Sequence, residues 1–451
     1  MIKARKARNA VIRTVLLLLV TAAASSLFLS CGVNTRAIAP TNPSSGGTNP
    51  ATCPQPSSKL QVGGTHLAVA DAYNGRVLIY NAPFTTGECA SVELGQADFD
   101  SFRAYPEGPA VLFSPNGMAM EAGNLYVVDE NGSRVVEFQP PFVSGMNASL
   151  EVGAPDFSTP GMPNPYPCSD TPPDIRLCLP TGVAVDAEGN LWAADLWDGR
   201  IVEYQQPIQS AMAASVAIGQ TSLDNTADCD GTFMLLRDGK PTLATATELC
   251  HPDAIVFDES GKLWASDSGN SRVLEYSPPF STGMAANLEL GFPAATGMNS
   301  PVEADCYKEP VATQFSLCSP GALAFDTNGN LWVADSGNNR VLEFAPPFSD
   351  GMAATLVIGQ QGFAEGTASP PAADTLYRPN GITFDPNGDL IVSDSGNSRV
   401  LVFSPPFRNG MSASVVIGQT NMTSGTVYGC GSSTVSPSAS TLCSPRGVLA
   451  F

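Results

Sequence analysis

Histidine is nearly absent: the 451 residues hold two, His66 and His251. A centre built from three histidine ligands is excluded, and Ser-His-Asp chemistry has only these two residues to draw on. Charge is scarce too, at 14% of residues, and the 22 Lys and Arg are outnumbered by 42 Asp and Glu. Five of the cations, Lys3, Arg5, Lys6, Arg8 and Arg13, stand in the first thirty residues, which contain no acid; the remainder holds 17 cations against 42 acids, a net charge of −25. A surface so acidic repels phosphate backbones, which argues against nucleic acid as a partner. The 11 cysteines include no CxxC pair, so zinc-ribbon spacing and c-type haem attachment are both missing. Helical periodicity is missing from the body of the chain. What is plentiful is glycine (42) and proline (38) beside 43% hydrophobic residues, the balance of a large core assembled from many short strands cut by turns.

The N-terminus reads as a targeting segment. A basic stretch to Arg13 precedes an apolar run from Val15 to Leu29, too short to span a bilayer and of signal-peptide length. The run ends in Phe28-Leu29-Ser30-Cys31, which resembles the lipobox of bacterial lipoproteins. That resemblance implies diacylation of Cys31 and a protein exported and anchored by lipid to a bacterial membrane, facing the periplasm or the cell exterior. Ordinary cleavage near Ala22-Ala23-Ala24 is the alternative. Parity favours lipid, because assigning Cys31 to it leaves an even ten cysteines. The expected organisation is a signal peptide over 1–30, a Pro/Gly/Ser/Thr-rich tether over 31–56 and a folded body over 57–451.

One pattern recurs through that body: Leu-Trp-x-Ala-Asp-Ser-Gly-Asn-x-Arg-Val-Leu-Glu, followed by Pro-Pro-Phe. Its Asp falls at Asp71, Asp129, Asp195, Asp267, Asp335 and Asp394. Its Arg follows five residues later, at Arg76, Arg134, Arg200, Arg272, Arg340 and Arg399. A second pattern, Pro-x-Gly-φ-Ala-φ-Asp-x-x-Gly-Asn, precedes most copies. Each unit divides into four short strands, a to d. In the fifth they are expected at Ala322–Asp326, Leu331–Asp335, Arg340–Phe344 and Thr355–Ile358. Four-stranded units repeated radially predict an all-β, six-bladed β-propeller with antiparallel blades. These residues resemble the NHL repeat family, a likeness that implies the propeller fold and leaves function open among binding scaffolds, sensors and a few lyases. The first hairpin, His66–Tyr80, has only a poor strand a before it (59–62). The strand at 444–451 is therefore expected to complete the first blade; the alternative is a truncated chain with a seventh blade missing.

A residue needed in every blade serves the scaffold, so the Asp and Arg pairs are expected to be structural, the Asp accepting backbone N–H groups of the b–c turn. The Phe residues after the prolines and Trp192, Trp264 and Trp332 are expected to pack between blades. Cys178, Cys250, Cys318 and Cys443 each stand two residues before the Pro of a strand a. The repeat frame pairs them with Cys168, Cys229, Cys306 and Cys430 in the same d–a connections, and leaves Cys53 for Cys89. Disulfides agree with an oxidising compartment.

Antiparallel alternation puts the d–a connections and the b–c turns on one face. Variable loops on a rigid scaffold are where binding usually resides. The candidate rim is formed by residues that depart from the repeat: Asn116, Thr181, Asp253, Asn380 and Arg446 after each strand-a proline, with Tyr73, Trp197 and Asp198 in the turns. The expected function is a non-enzymatic, membrane-tethered monomer whose looped face binds a protein, glycan or small molecule. The alternative is a metal-dependent hydrolase or lyase at the channel mouth. There the Pro-Asn-Gly turns at Asn116 and Asn380 resemble those of gluconolactonase-type propellers, and Asp253 adds a hard oxygen ligand for Ca²⁺.

Overall fold

The computed structural model describes residues 53, 60, 64–101, 108–157, 172–225, 245–291, 312–425 and 437–451. The signal and tether, including Cys31, lie outside them, as do Cys168, Cys229, Cys306 and Cys430. Among the described residues no helix is long and apolar enough to cross a membrane.

Six four-stranded antiparallel sheets form the six blades of a propeller. Strand a of blades 2 to 6 runs over Pro115–Glu121, Pro180–Val185, Pro252–Phe257, Pro320–Phe325 and Pro379–Phe384. In blade 1 that place is taken by Pro445–Ala450, which pairs with His66–Asp71 through Leu67↔Ala450, Ala68↔Leu449 and Val69↔Val448. The ring is thus closed by the C-terminal strand, as the Pro-x-Gly pattern at 445 predicts. Sharing one blade between the two ends leaves no free edge at the seam.

The repeat sequence explains the blade. Alternating apolar residues of strands b and c are buried on both faces of each sheet and meet the neighbouring sheets. Trp192 of blade 3 lies 5.0 Å edge-on from Phe280 of blade 4, and the same contact recurs as Trp264–Phe348 at 4.8 Å and Trp332–Phe407 at 5.0 Å. Each indole N–H donates to the aspartate of its a–b turn, such as Asp326 at 3.1 Å. These rings therefore pack blade against blade while their polar edge is satisfied.

Each repeat Arg donates Nε–H to its Asp, at 2.6 to 3.2 Å across the six blades, with both side chains almost wholly buried. The second oxygen of the Asp does something the sequence did not suggest. It accepts a backbone N–H from the d–a connection, that of Cys178, Cys250, Cys318 and Cys443 at 2.6 Å in four blades, rather than from the b–c turn. The turn contributes instead through the Asn side chain, as in Asn338 Nδ2 to Asp335 at 2.9 Å. The guanidinium also holds that connection: Arg340 donates to the carbonyls of Thr313 and Ser316, both at 2.9 Å, and of Phe363 at 2.6 Å. One ion pair per blade thus ties the b–c hairpin to the loops on either side of it.

Strands b and c of blade 5 coincide with their expected bounds, whereas strand a begins two residues earlier, at Pro320. The reason is a register shift between Pro320 and Leu323: the proline pairs with Asp335, and the next two residues bulge away from strand b. The b–c turns of blades 1, 4, 5 and 6 close as single turns of 3-10 helix.

Cys53 is bonded to Cys89, with Cα atoms 5.9 Å apart. Cys178, Cys250, Cys318 and Cys443 are also disulfide-bonded. Cys89 lies in the c–d connection of blade 1, and antiparallel alternation places that connection on the face of the a–b turns. The Cys53–Cys89 pairing expected from the repeat frame is thus present, and by this alternation it lies on the face away from the d–a connections.

Candidate functional site

The six inner strands surround a central channel, and the Pro-x-Gly pattern shapes its mouth. In every blade the register slips just after the proline, between Pro115 and Met118 in blade 2 and between Pro252 and Ile255 in blade 4, for example. A bulge at this place frees the x residue from the ladder and re-aims its side chain. The glycine that follows is required by close approach. A Cβ at Gly117 would stand 2.6 Å from the Thr181 carbonyl oxygen of the next blade, and one at Gly182 would stand 2.6 Å from that of Asp253.

Three tiers result. Asn116, Thr181, Asp253 and Asn380 form a polar collar around one cavity, and the glycines and alanines form a narrow second ring. Below them Met118, Val183, Ile255, Leu323, Ile382 and Val448, one from each blade, supply an apolar lining. The cavity volume is about 90 Å³. That is well under the roughly 300 Å³ at which sites for drug-sized ligands begin, so the channel itself admits only a small group.

The collar is electrostatically uneven. Arg446, on the inner strand of blade 1, forms an ion pair with Glu130 in the b–c turn of blade 2. Asn116 Nδ2 donates to the same carboxylate at 3.4 Å. Thr181 Oγ1 donates to the Pro252 carbonyl at 3.0 Å. Among the described residues the Asp253 carboxylate and the Asn380 side chain have no hydrogen-bond or ion-pair partner. Burial pushes the Asp253 carboxyl up to about 6; Arg446 opposes that rise and Glu130 adds to it. Blade 4 thus senses the charges of blades 1 and 2 across the channel.

Four of the expected rim residues therefore line a single cavity, and Arg446 stands beside it. Tyr73 and Trp197 lie on the same face in the b–c turns of blades 1 and 3, outside the cavity lining. Each takes the place held by Gly269 and Gly337 in blades 4 and 5, where a Cβ would strike the Sγ of Cys250 or Cys318. The Trp197 ring stacks on His251, with centroids 6.2 Å apart. Asp198 is turned inward: its carboxylate accepts from Arg176 at 3.2 Å and from Arg200 at 3.3 Å. It replaces the turn Asn of other blades, and burial together with Asp198 raises the Asp195 carboxyl against the pull of Arg200. Glu130 was not singled out from the sequence, although the signal was present: blade 2 has Asp129-Glu130-Asn131-Gly132 where blades 4 to 6 have Asp-Ser-Gly-Asn. Among the described residues there is no group of three or more His, Cys, Asp or Glu side chains arranged to hold a metal ion.

With this geometry in place, the comparisons with known proteins bear on the repeats. The NHL repeat model matches residues 317–344 and 376–403, the first three strands of blades 5 and 6 with the residues that lead into them. Blades 5 and 6 thus carry NHL repeats within a six-bladed β-propeller. It is 26% identical over 251 residues to Teneurin-3 of the mouse, a match covering 54% of this chain and 8% of that protein. The chain thus spans under a tenth of the curated relative's length. Among solved structures it resembles the nidogen/laminin complex (13% identity, TM-score 0.44, 86% of this chain and 98% of that one). It also resembles a gluconolactonase from Xanthomonas campestris (17% identity, TM-score 0.36, 82% and 87%). A third is an inactive virginiamycin B lyase from Staphylococcus aureus with quinupristin (12% identity, TM-score 0.38, 77% and 84%).

Proposed function

We propose that this propeller is a non-enzymatic binding protein, exported and held at a bacterial membrane by lipid on Cys31. As a monomer it engages a protein, glycan or small-molecule partner through the looped face around the channel mouth. One observation carries the reading. The residues repeated in all six blades are engaged with one another, whereas the collar residues differ from blade to blade, and two of them, Asp253 and Asn380, have no partner among the described residues. Polar groups held on rigid strands and unsatisfied from within are available to a ligand.

A metal-dependent hydrolase or lyase is the second reading, favoured by the convergence of Asn116, Asp253 and Asn380 on one cavity. The donor set suits Ca²⁺ in kind but falls short in number. The ion takes six to eight oxygens, and the Glu130 carboxylate is already committed to Arg446. Metal content of the purified protein separates the two readings.

The binding reading is tested on cells producing the full chain with a photo-crosslinking residue at Asn380, or at the exposed a–b turn residues Glu188 or Asn328. Crosslinks to a partner are expected from Asn380 and not from the other two. Palmitate labelling is expected in the wild type and lost in Cys31→Ala. Crosslinks arising equally from both faces, or labelling that survives the substitution, would overturn the corresponding half of the proposal.

A further inference from the structure

We infer that the channel mouth takes a small organic cation, a primary ammonium on a short aliphatic stem, with Asp253 as its counter-ion. The inference rests on the mouth being the binding site and names the class of ligand. Among the described residues three charged groups, Asp253, Arg446 and Glu130, interact at the mouth, and two cancel: the Arg446 guanidinium is committed to Glu130. What remains is one carboxylate with no partner of its own. An ammonium offers three donors. Asp253 supplies a charged acceptor, and the Asn380 amide oxygen and the Thr181 hydroxyl, already part of the collar, supply neutral ones. Beneath the collar, Ile255, Leu323 and Ile382 line the cavity and offer apolar contact to a stem of a few methylenes.

The size agrees, since a cavity of about 90 Å³ holds a head group and a short stem and little more. Among the described residues lining the mouth, a carboxylate or phosphate ligand would face Asp253 and Glu130 with no uncommitted cation to receive it. The long-range field points the same way, because a body of net charge −25 draws cations toward its surface. Two sources fit this chemistry: a free alkylamine, or a lysine side chain presented by a partner protein.

The test is titration calorimetry on the full chain purified in detergent. The probes are n-butylammonium, the isosteres 1-butanol and butyrate, and the peptide Gly-Lys-Gly with its Nε-acetylated form. Saturable binding of butylammonium or of the lysine peptide is expected, and the tighter of the two identifies the source. Butanol and the acetylated peptide should bind at least tenfold more weakly, and butyrate should not bind.

Asp253→Asn should weaken cation binding about tenfold or more, the loss of a charge-assisted hydrogen bond. Arg446→Gln should tighten it several-fold by uncovering Glu130, an opposite change that a merely damaged fold cannot produce. Binding should strengthen as pH rises through about 6, where Asp253 ionises under the combined influence of burial, Arg446 and Glu130. Equal binding of butanol and butylammonium, or no effect of Asp253→Asn in a folded variant, would overturn the inference. If no amine binds while Asn380 still crosslinks to a partner, the ligand class is wrong and the binding reading stands. If the crosslinks also fail, both fall.

Discussion

Replacing Arg340 by alanine should cost about 3–5 kcal/mol of folding stability, the range for removing one partner of a buried ion pair. The residue sits at 0% exposure, so nothing from solvent can replace it. Its loss leaves the Asp335 carboxylate buried with only the Cys318 N–H and the Asn338 amide as donors. It also strands the carbonyls of Thr313, Ser316 and Phe363, to which Arg340 now donates. Denaturant unfolding monitored by circular dichroism measures the change. Burial already raises the Asp335 carboxyl against the pull of Arg340, so without that pull it should rise further and the variant should bury a neutral acid. The variant's deficit should therefore shrink as pH falls, because protonation removes the uncompensated charge. A change under about 1 kcal/mol would show that the repeated pair is dispensable to the scaffold. Its place in all six blades would then need a functional explanation.

Deleting residues 444–451 should open the ring. The strand gives His66–Asp71 its inner neighbour, and the seam ends with His66 N–H donating to Phe451 at 2.8 Å and Phe451 N–H returning to His66 at 2.9 Å. Each backbone group left buried and unpaired costs about 1–3 kcal/mol. The apolar loss adds to this, since Leu67 and Val69 are fully buried and Val448 is 7% exposed. Phe451 also packs against Phe142 of blade 2 at 6.1 Å. The uncovered edge is a template for pairing with another copy. The deletion variant should therefore unfold over a broader, lower transition and self-associate in light scattering. A monomer with an unchanged transition would mean that blade 1 holds without its inner strand.

The scaffold was largely legible because its physics is repeated six times. An Asp and an Arg five residues apart across a b–c hairpin are visible in one dimension, and so is the Pro-x-Gly pattern at 445 that closes the ring. Strands b and c were placed to the residue in blade 5, since Gly, Asn and Pro residues punctuate both ends of each apolar run. The start of strand a was not, because the bulge after its proline carries the pairing two residues further than the apolar run. The backbone partner of each Asp was misplaced because it is an N–H of the d–a connection, seventeen residues upstream in blades 3 to 5, a tertiary contact that no local turn pattern encodes. At the site, Asn116, Thr181, Asp253 and Asn380 were found as departures from a repeat. Glu130 escaped because the turn of blade 2 is degenerate throughout, so its one chemically active change does not stand out. Asp198 looked like a rim residue by position, yet Arg176 and Arg200 draw it inward.

The most direct test of the binding account is the affinity of the partner crosslinked through Asn380 for the triple variant Asn116→Ala, Asp253→Ala, Asn380→Ala, compared with wild type by surface plasmon resonance. The three side chains belong to the collar and not to the Asp–Arg scaffold, so the variant should keep its fold. Truncating several central contacts at about 1–2 kcal/mol each predicts a loss of at least a hundredfold in affinity, expressed mainly as faster dissociation. A folded triple variant that binds this partner as tightly as wild type would contradict the account and move the site away from the channel mouth.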